Sequence, residues 1–127
     1  MPARPDPIRV LIADDQPLFT KMLETILRGD ERVEVVGRAG NGKEALELAS
    51  TLTPDVVVMD ISMPLMDGLE ATRRLCQGAV PVRVLMLTES DLPGDVRRSR
   101  EAGAAGYLPK ARIAADLRTA IATVADA

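Results

Sequence analysis

The sequence predicts an α/β fold in which a parallel sheet is covered by helices on both faces. Three observations predict it. Apolar runs alternate five times with segments of helical period along the 127 residues. The runs at 10–13, 56–59 and 84–87 are almost continuously hydrophobic, as strands covered on both sides are. No internal repeat or low-complexity tract divides the chain, so the five βα units belong to one sheet and one domain.

The elements follow in order. "IRVLIA" (Ile8–Ala13) is the first strand, and Phe19, Met22, Leu23, Ile26 and Leu27 lie on one face of a helix that stops near Gly29. "VEVVG" (Val33–Gly37) is the second strand. "GRAGNG" after it imitates a dinucleotide fingerprint, but its spacing is G-x-x-G-x-G, so it reads as a turn and helix cap. Asn41 with Glu44 resembles a capping box ahead of the face Ala45, Leu48, Ala49 and Leu52. "DVVVMD" (Asp55–Asp60) is the third strand, and Asp67 with Glu70 caps the next helix in the same way. "VRVLMLT" (Val82–Thr88) is the fourth. The helix after it, Leu92–Ala102, carries few apolar residues besides Leu92 and Val96 and should be the least firmly packed. Gly103 ends it, "AAGYL" (Ala104–Leu108) is the fifth strand, and Leu117, Ala120, Ile121 and Val124 mark the last helix.

Composition excludes several classes of function. Phe19 and Tyr107 are the only aromatics, so the core must be aliphatic. A net charge of −3 argues against a nucleic-acid surface on this chain. The absence of histidine removes the commonest catalytic base and transition-metal ligand. Cys76 stands alone, so no disulfide forms within the chain, and a buried structural thiol is expected. No apolar run approaches a membrane span. The Pro-rich start, residues 1–7, has no signal-peptide core and reads as a short leader to a soluble cytoplasmic domain.

In such a sheet the functional site lies beyond the carboxyl ends of the strands, where the strand order reverses. The flavodoxin-like order 2-1-3-4-5, a three-layer sandwich, puts that point between strands one and three. Asp14 and Asp15, Asp60, Thr88 and Lys110 then gather at one edge. Carboxylates packed so closely repel, and a hard divalent cation resolves the repulsion. Mg²⁺ suits an all-oxygen set with water and a phosphate oxygen, whereas zinc or copper is a poor fit without His or Cys. An aspartate with Mg²⁺, a lysine and a threonine around it is a plausible nucleophile for an acyl phosphate.

Four motifs in order, "DD" after strand one, "MDISMPLMDG" around Asp60, "LT" at Leu87–Thr88 and "GYLPK" ending at Lys110, resemble the receiver domain of two-component response regulators over residues 8–125. "IRVLIADDQPLF", "VVGRAGNGKEAL" and "AGAAGYLPK" look most like the branch that carries a C-terminal helix-turn-helix DNA-binding domain, which this chain lacks. The resemblance implies a regulatory phosphoacceptor rather than an enzyme. It implies that Asp60 takes a phosphoryl group from a sensor histidine kinase. Asp15 and Asp60 would bind Mg²⁺ with the backbone carbonyl of Ser62, and Asp14 would act mainly through water. Thr88 and Lys110 would hold the phosphoryl group, and Tyr107 would change rotamer as Thr88 moves. Phosphorylation would favour a homodimer or release of the output domain, through which alone the protein would reach DNA.

Two departures from that pattern stand out. Pro109 precedes Lys110 and Ala111 follows it, so the cis Lys–Pro bond of many receivers has no counterpart here. The residue after Thr88 is usually small, but here it is Glu89, which either slows the approach of an anionic donor or points to solvent. Glu89 is the one feature favouring a rival reading, a pseudo-receiver that binds partners without phosphorylation. A second rival, an aspartyl phosphatase, usually needs a carboxylate at position 62, where Ser stands. Arg97, Arg98 and Arg100 read as a solvated helix face, or as partners for acidic residues of a second protomer.

Overall fold

The structure, a computed structural model, describes residues 6–78, 81–89 and 92–127. Most of the expected leader lies outside them. Five strands, β1 (Ile8–Ala13), β2 (Val33–Ala39), β3 (Val56–Asp60), β4 (Arg83–Thr88) and β5 (Gly106–Pro109), form one sheet of order β2-β1-β3-β4-β5. All four pairings are parallel. The helices are α1 (Pro17–Arg28), α2 (Gly42–Leu52), α3 (Gly68–Gln77), α4 (Pro93–Ala102) and α5 (Ile113–Ala125), with a 3₁₀ turn at Lys110–Arg112 before the last. The expected architecture and strand order are both present.

The period of two along each strand divides the core in half. Val10, Ile12, Val56, Val58, Leu85 and Leu87 pack with Leu23 and Leu27 of α1 and with Ile113, Leu117 and Ile121 of α5. The residues between them, Leu11, Ala13, Val57, Met59, Val84 and Met86, pack with Ala45 and Ala49 of α2 and Ala71 of α3. Continuing the alternation past the strand ends puts Asp14, Asp60 and Lys110 on the side of α1 and α5.

Boundaries differ from the sequence reading at four strands: β3 and β4 each start one residue later than read, at Val56 and Arg83, and β2 and β5 differ by more. β2 runs on to Ala39, and its register against β1 shifts between Val10 and Leu11, a bulge that lets it extend. β5 begins at Gly106 rather than Ala104, and its ladder with β4 runs from Leu85↔Gly106 to Thr88↔Pro109. On α1 the buried stripe is Thr20, Leu23 and Leu27, while Met22, expected on the apolar face, is 42% exposed.

The caps form by half. Asn41 Oδ1 accepts from the Glu44 amide at 2.8 Å, but Glu44 reaches back to the Gly40 amide rather than to Asn41. Asp67 caps Glu70 at 2.9 Å, and the Glu70 carboxylate turns to Arg73 and Arg74 instead. α4 buries only Ser99 and Ala102, in keeping with its poor apolar content. Its arginines are exposed, Arg98 pairing with Asp95 and Arg97 with Glu101 on the same helix.

Cys76 corrects an expectation, because it is exposed. It lies in the last turn of α3, and its thiol donates to the Gly103 carbonyl at 3.3 Å, at the α3–α4 edge rather than in either half of the core. Gly103 closes α4 with φ +105°, a conformation suited to glycine, and a Cβ there would stand 2.9 Å from the Cys76 sulfur.

Candidate functional site

Register alone sets out the site. Ala13 lies opposite Met59, so Asp14 is level with Asp60 across the β1–β3 gap. Asp60 pairs with Leu87 and Thr88 with Pro109, so Thr88 and Lys110 each stand one step further out. The carboxylates of Asp14, Asp15 and Asp60 offer oxygens within 4.8 Å of one another. Asp14 and Asp60 are buried and Asp15 is exposed, which leaves one open approach.

Each buried group is held by its neighbours. Asp14 Oδ1 accepts from the Gln16 amide at 2.8 Å, a local turn that also starts α1, whereas the buried Oδ2 has no hydrogen-bond partner among the described residues. Asp60 Oδ1 accepts from the Ser62 amide at 3.4 Å and faces Lys110 Nζ at 3.4 Å. Thr88 is fully buried at the end of β4. Burial, and after it the nearby Asp14 charge, push the Asp60 carboxyl up to about 6 against the pull of Lys110. Burial also raises Asp14 above the usual carboxylate range. Burial pulls the Lys110 amine down, but the hydrogen bond it donates to Glu89 and the charges of Asp60 and Asp14 outweigh it, and the net direction is upward.

The donor set fits a hard cation. Three carboxylates, one with a buried oxygen that has no hydrogen-bond partner among the described residues, form an all-oxygen cluster with no thiolate or imidazole near it.

Two contacts were not evident in the sequence. Lys110 Nζ lies 4.7 Å from the centre of the Phe19 ring, at cation–π distance. Phe19 reads as an ordinary member of the α1 stripe, and only its place in the first turn after the β1 aspartates hints at the site. Lys110 Nζ is also 3.0 Å from Glu89 Oε1, so that carboxylate, although largely exposed, turns its oxygen toward Lys110. Tyr107 is 40% exposed and projects outward from β5.

Gly68 seats the end of β3. Its amide donates to the Ile61 carbonyl at 3.0 Å, and a Cβ there would fall 2.0 Å from the Asp60 carbonyl oxygen. Gly68→Ala must therefore move the backbone that carries Asp60. It should cost about 1–3 kcal/mol in urea unfolding. Whatever reaction Asp60 performs should slow by about tenfold, the scale of a small misplacement at a reacting group.

A family model described as the response regulator receiver domain matches residues 10–122. The chain belongs to the response regulator receiver family. Receivers are regulatory domains that work as phosphoryl-relay switches, and their acidic pocket binds Mg²⁺. This receiver is 46% identical over 108 residues to a protein-glutamate methylesterase/protein-glutamine glutaminase of Myxococcus xanthus, covering 83% of this chain and 30% of that protein. It is 38% identical over 117 residues to the transcriptional regulatory protein LnrK of Bacillus subtilis, covering 92% of this chain and 53% of LnrK. The receiver thus spans between about a third and a half of these relatives. The response regulator domain of Thermotoga maritima CheB superposes with a TM-score of 0.88 at 30% identity, over 95% of this chain and 98% of that one. Among the described residues no helix is long and apolar enough to cross a membrane.

Proposed function

We propose that Asp60 is the phosphoacceptor of a two-component switch that takes its phosphoryl group from a sensor histidine kinase. The observation that carries this is a buried carboxylate at the β3 end, 3.4 Å from Lys110 and within 4.8 Å of Asp14 and Asp15. In the transfer an Asp60 oxygen attacks phosphorus. The bond from phosphorus to the donor's nitrogen breaks, and its electron pair leaves with the donor imidazole. Lys110 and Thr88 donate to the phosphoryl oxygens as charge builds on them. Asp15, Asp60 and the Ser62 carbonyl would hold Mg²⁺, with Asp14 binding through water. The ion's chemistry is to neutralise oxygens that would otherwise repel an anionic donor. Asp14 and Asp15 orient that charge, and the burial of Asp60 limits the access of bulk water to the acyl phosphate.

The signal then leaves through the β4–β5 side. The phosphoryl group draws Thr88 inward, and Tyr107 rotates from its exposed position toward the space released. α4 repacks because it buries so little. The altered face favours a homodimer or frees an attached domain.

On this reading residues 8–125 form the phosphoacceptor unit behind a leader of residues 1–7, acting in the cytoplasm. The output follows the branch with a helix-turn-helix domain and controls transcription, in line with the likeness to LnrK. The likeness to the Myxococcus methylesterase favours a second output, control of an attached esterase. The test of the phosphoacceptor reading is incubation with acetyl phosphate and Mg²⁺. One phosphoryl group, stable to acid and labile to alkali, is the expected product, and no uptake, or uptake unaffected by EDTA, contradicts it.

A further inference from the structure

Three groups among the described residues have measured contacts with the Lys110 ammonium, and the nearest is the one that the transfer reaction does not use. Its ammonium is 3.0 Å from Glu89 Oε1, 3.4 Å from Asp60 Oδ1 and 4.7 Å from the Phe19 ring centre. The Lys110 side chain is only 15% exposed, whereas that of Glu89 is 67% exposed. Glu89 therefore lies at the rim of the site and reaches in to Lys110, the one cation that the described residues place there. It adds a carboxylate beside the cluster of Asp14, Asp15 and Asp60, and competes with Asp60 for the Lys110 ammonium.

We propose that Glu89 is a positioning and specificity residue that occupies Lys110 in the resting state and disfavours small, highly charged phosphodonors. The proposal rests on the reading of Asp60 as phosphoacceptor. A phosphoryl group on Asp60 needs Lys110, so the Lys110–Glu89 contact must open as the new one forms. Glu89, adjacent to Thr88 in the chain, then faces the incoming phosphoryl oxygens with a like charge. In partly solvated surroundings one unit charge a few ångströms from a dianion alters a rate severalfold, and salt screens the effect. Because Glu89 is exposed, its replacement leaves the core untouched.

The experiment measures phosphorylation rates of the full chain with Mg²⁺ and two donors, acetyl phosphate and the less negatively charged phosphoramidate. Four proteins are compared: wild type, Glu89→Gln, Glu89→Asp and Glu101→Gln. The last removes the same charge from an exposed site on α4. Glu89→Gln should react about five- to tenfold faster with acetyl phosphate and about twofold faster with phosphoramidate, and the gain should shrink at high salt. Glu89→Asp, which keeps the charge, should stay near wild type, and Glu101→Gln should match wild type. Equal rates for Glu89→Gln and wild type overturn the proposal. So does a gain that is the same for both donors and insensitive to salt. Failure of all four proteins to accept phosphate overturns instead the assignment of Asp60, and the proposal with it.

Discussion

Freed of divalent metal, the Asp60→Asn protein should be more stable than wild type at pH 7 by about 3 kcal/mol. The size follows from a carboxyl moved from 3.8 to about 6, each pKa unit being worth roughly 1.4 kcal/mol. An acid whose native pKa lies above its unfolded value holds its proton better when folded. Its contribution is complete below pH 3.8 and is lost as pH rises through about 6. Asp14 is shifted in the same direction and adds to the trend. Asp30 beside Arg32 and Glu70 beside Arg74 are held below the usual carboxylate range, so they act with opposite sign at the acid end. Metal-free wild type should therefore lose stability between about pH 4 and 6.5, and Asp60→Asn should flatten much of that slope. Urea unfolding in EDTA at several pH values measures both, and a wild-type stability that rises through this window contradicts the electrostatic account.

Mg²⁺ should offset part of the destabilisation. A ligand that binds only the native state at ten times its dissociation constant adds about 1.4 kcal/mol, or roughly 3–6 °C in melting temperature for a domain of this size. Asp15→Asn should abolish most of that gain, because Asp15 is the exposed member of the carboxylate cluster and the one a cation first meets. The same substitution should lower the rate of acetyl phosphate labelling at millimolar Mg²⁺ by at least about tenfold, as the loss of one charged ligand or charge-stabilising group does. A melting temperature indifferent to Mg²⁺ in wild type, or an undiminished rise in Asp15→Asn, contradicts the metal site.

Periodicity made the fold legible. The runs at β1, β3 and β4 are buried on both sides, so their hydrophobicity is a direct consequence of their position. The strand-end residues were legible for a related reason. Strand order and direction fix where each strand stops, and polar residues following an apolar run must lie at that edge. What stayed hidden depends on pairs of residues far apart in sequence. Nothing local states that Phe19 lies against Lys110, or that Glu89 turns inward rather than out. The β1–β2 bulge is equally silent, since "VEVVGRA" alternates no more clearly before the shift than after it. Cys76 misled because its residue type is usually buried, whereas the end of α3 leaves it at an open edge.

Asp60 carries the account, and its role is decided by intact-mass and peptide mass spectrometry of wild type and Asp60→Asn after equal incubation with acetyl phosphate and Mg²⁺. The account predicts one alkali-labile phosphoryl group on the wild-type peptide that contains Asp60, and at least a hundredfold less in the variant, as for loss of a nucleophile. Undiminished labelling of Asp60→Asn, or a phosphoryl group located on another peptide of the wild type, would contradict it.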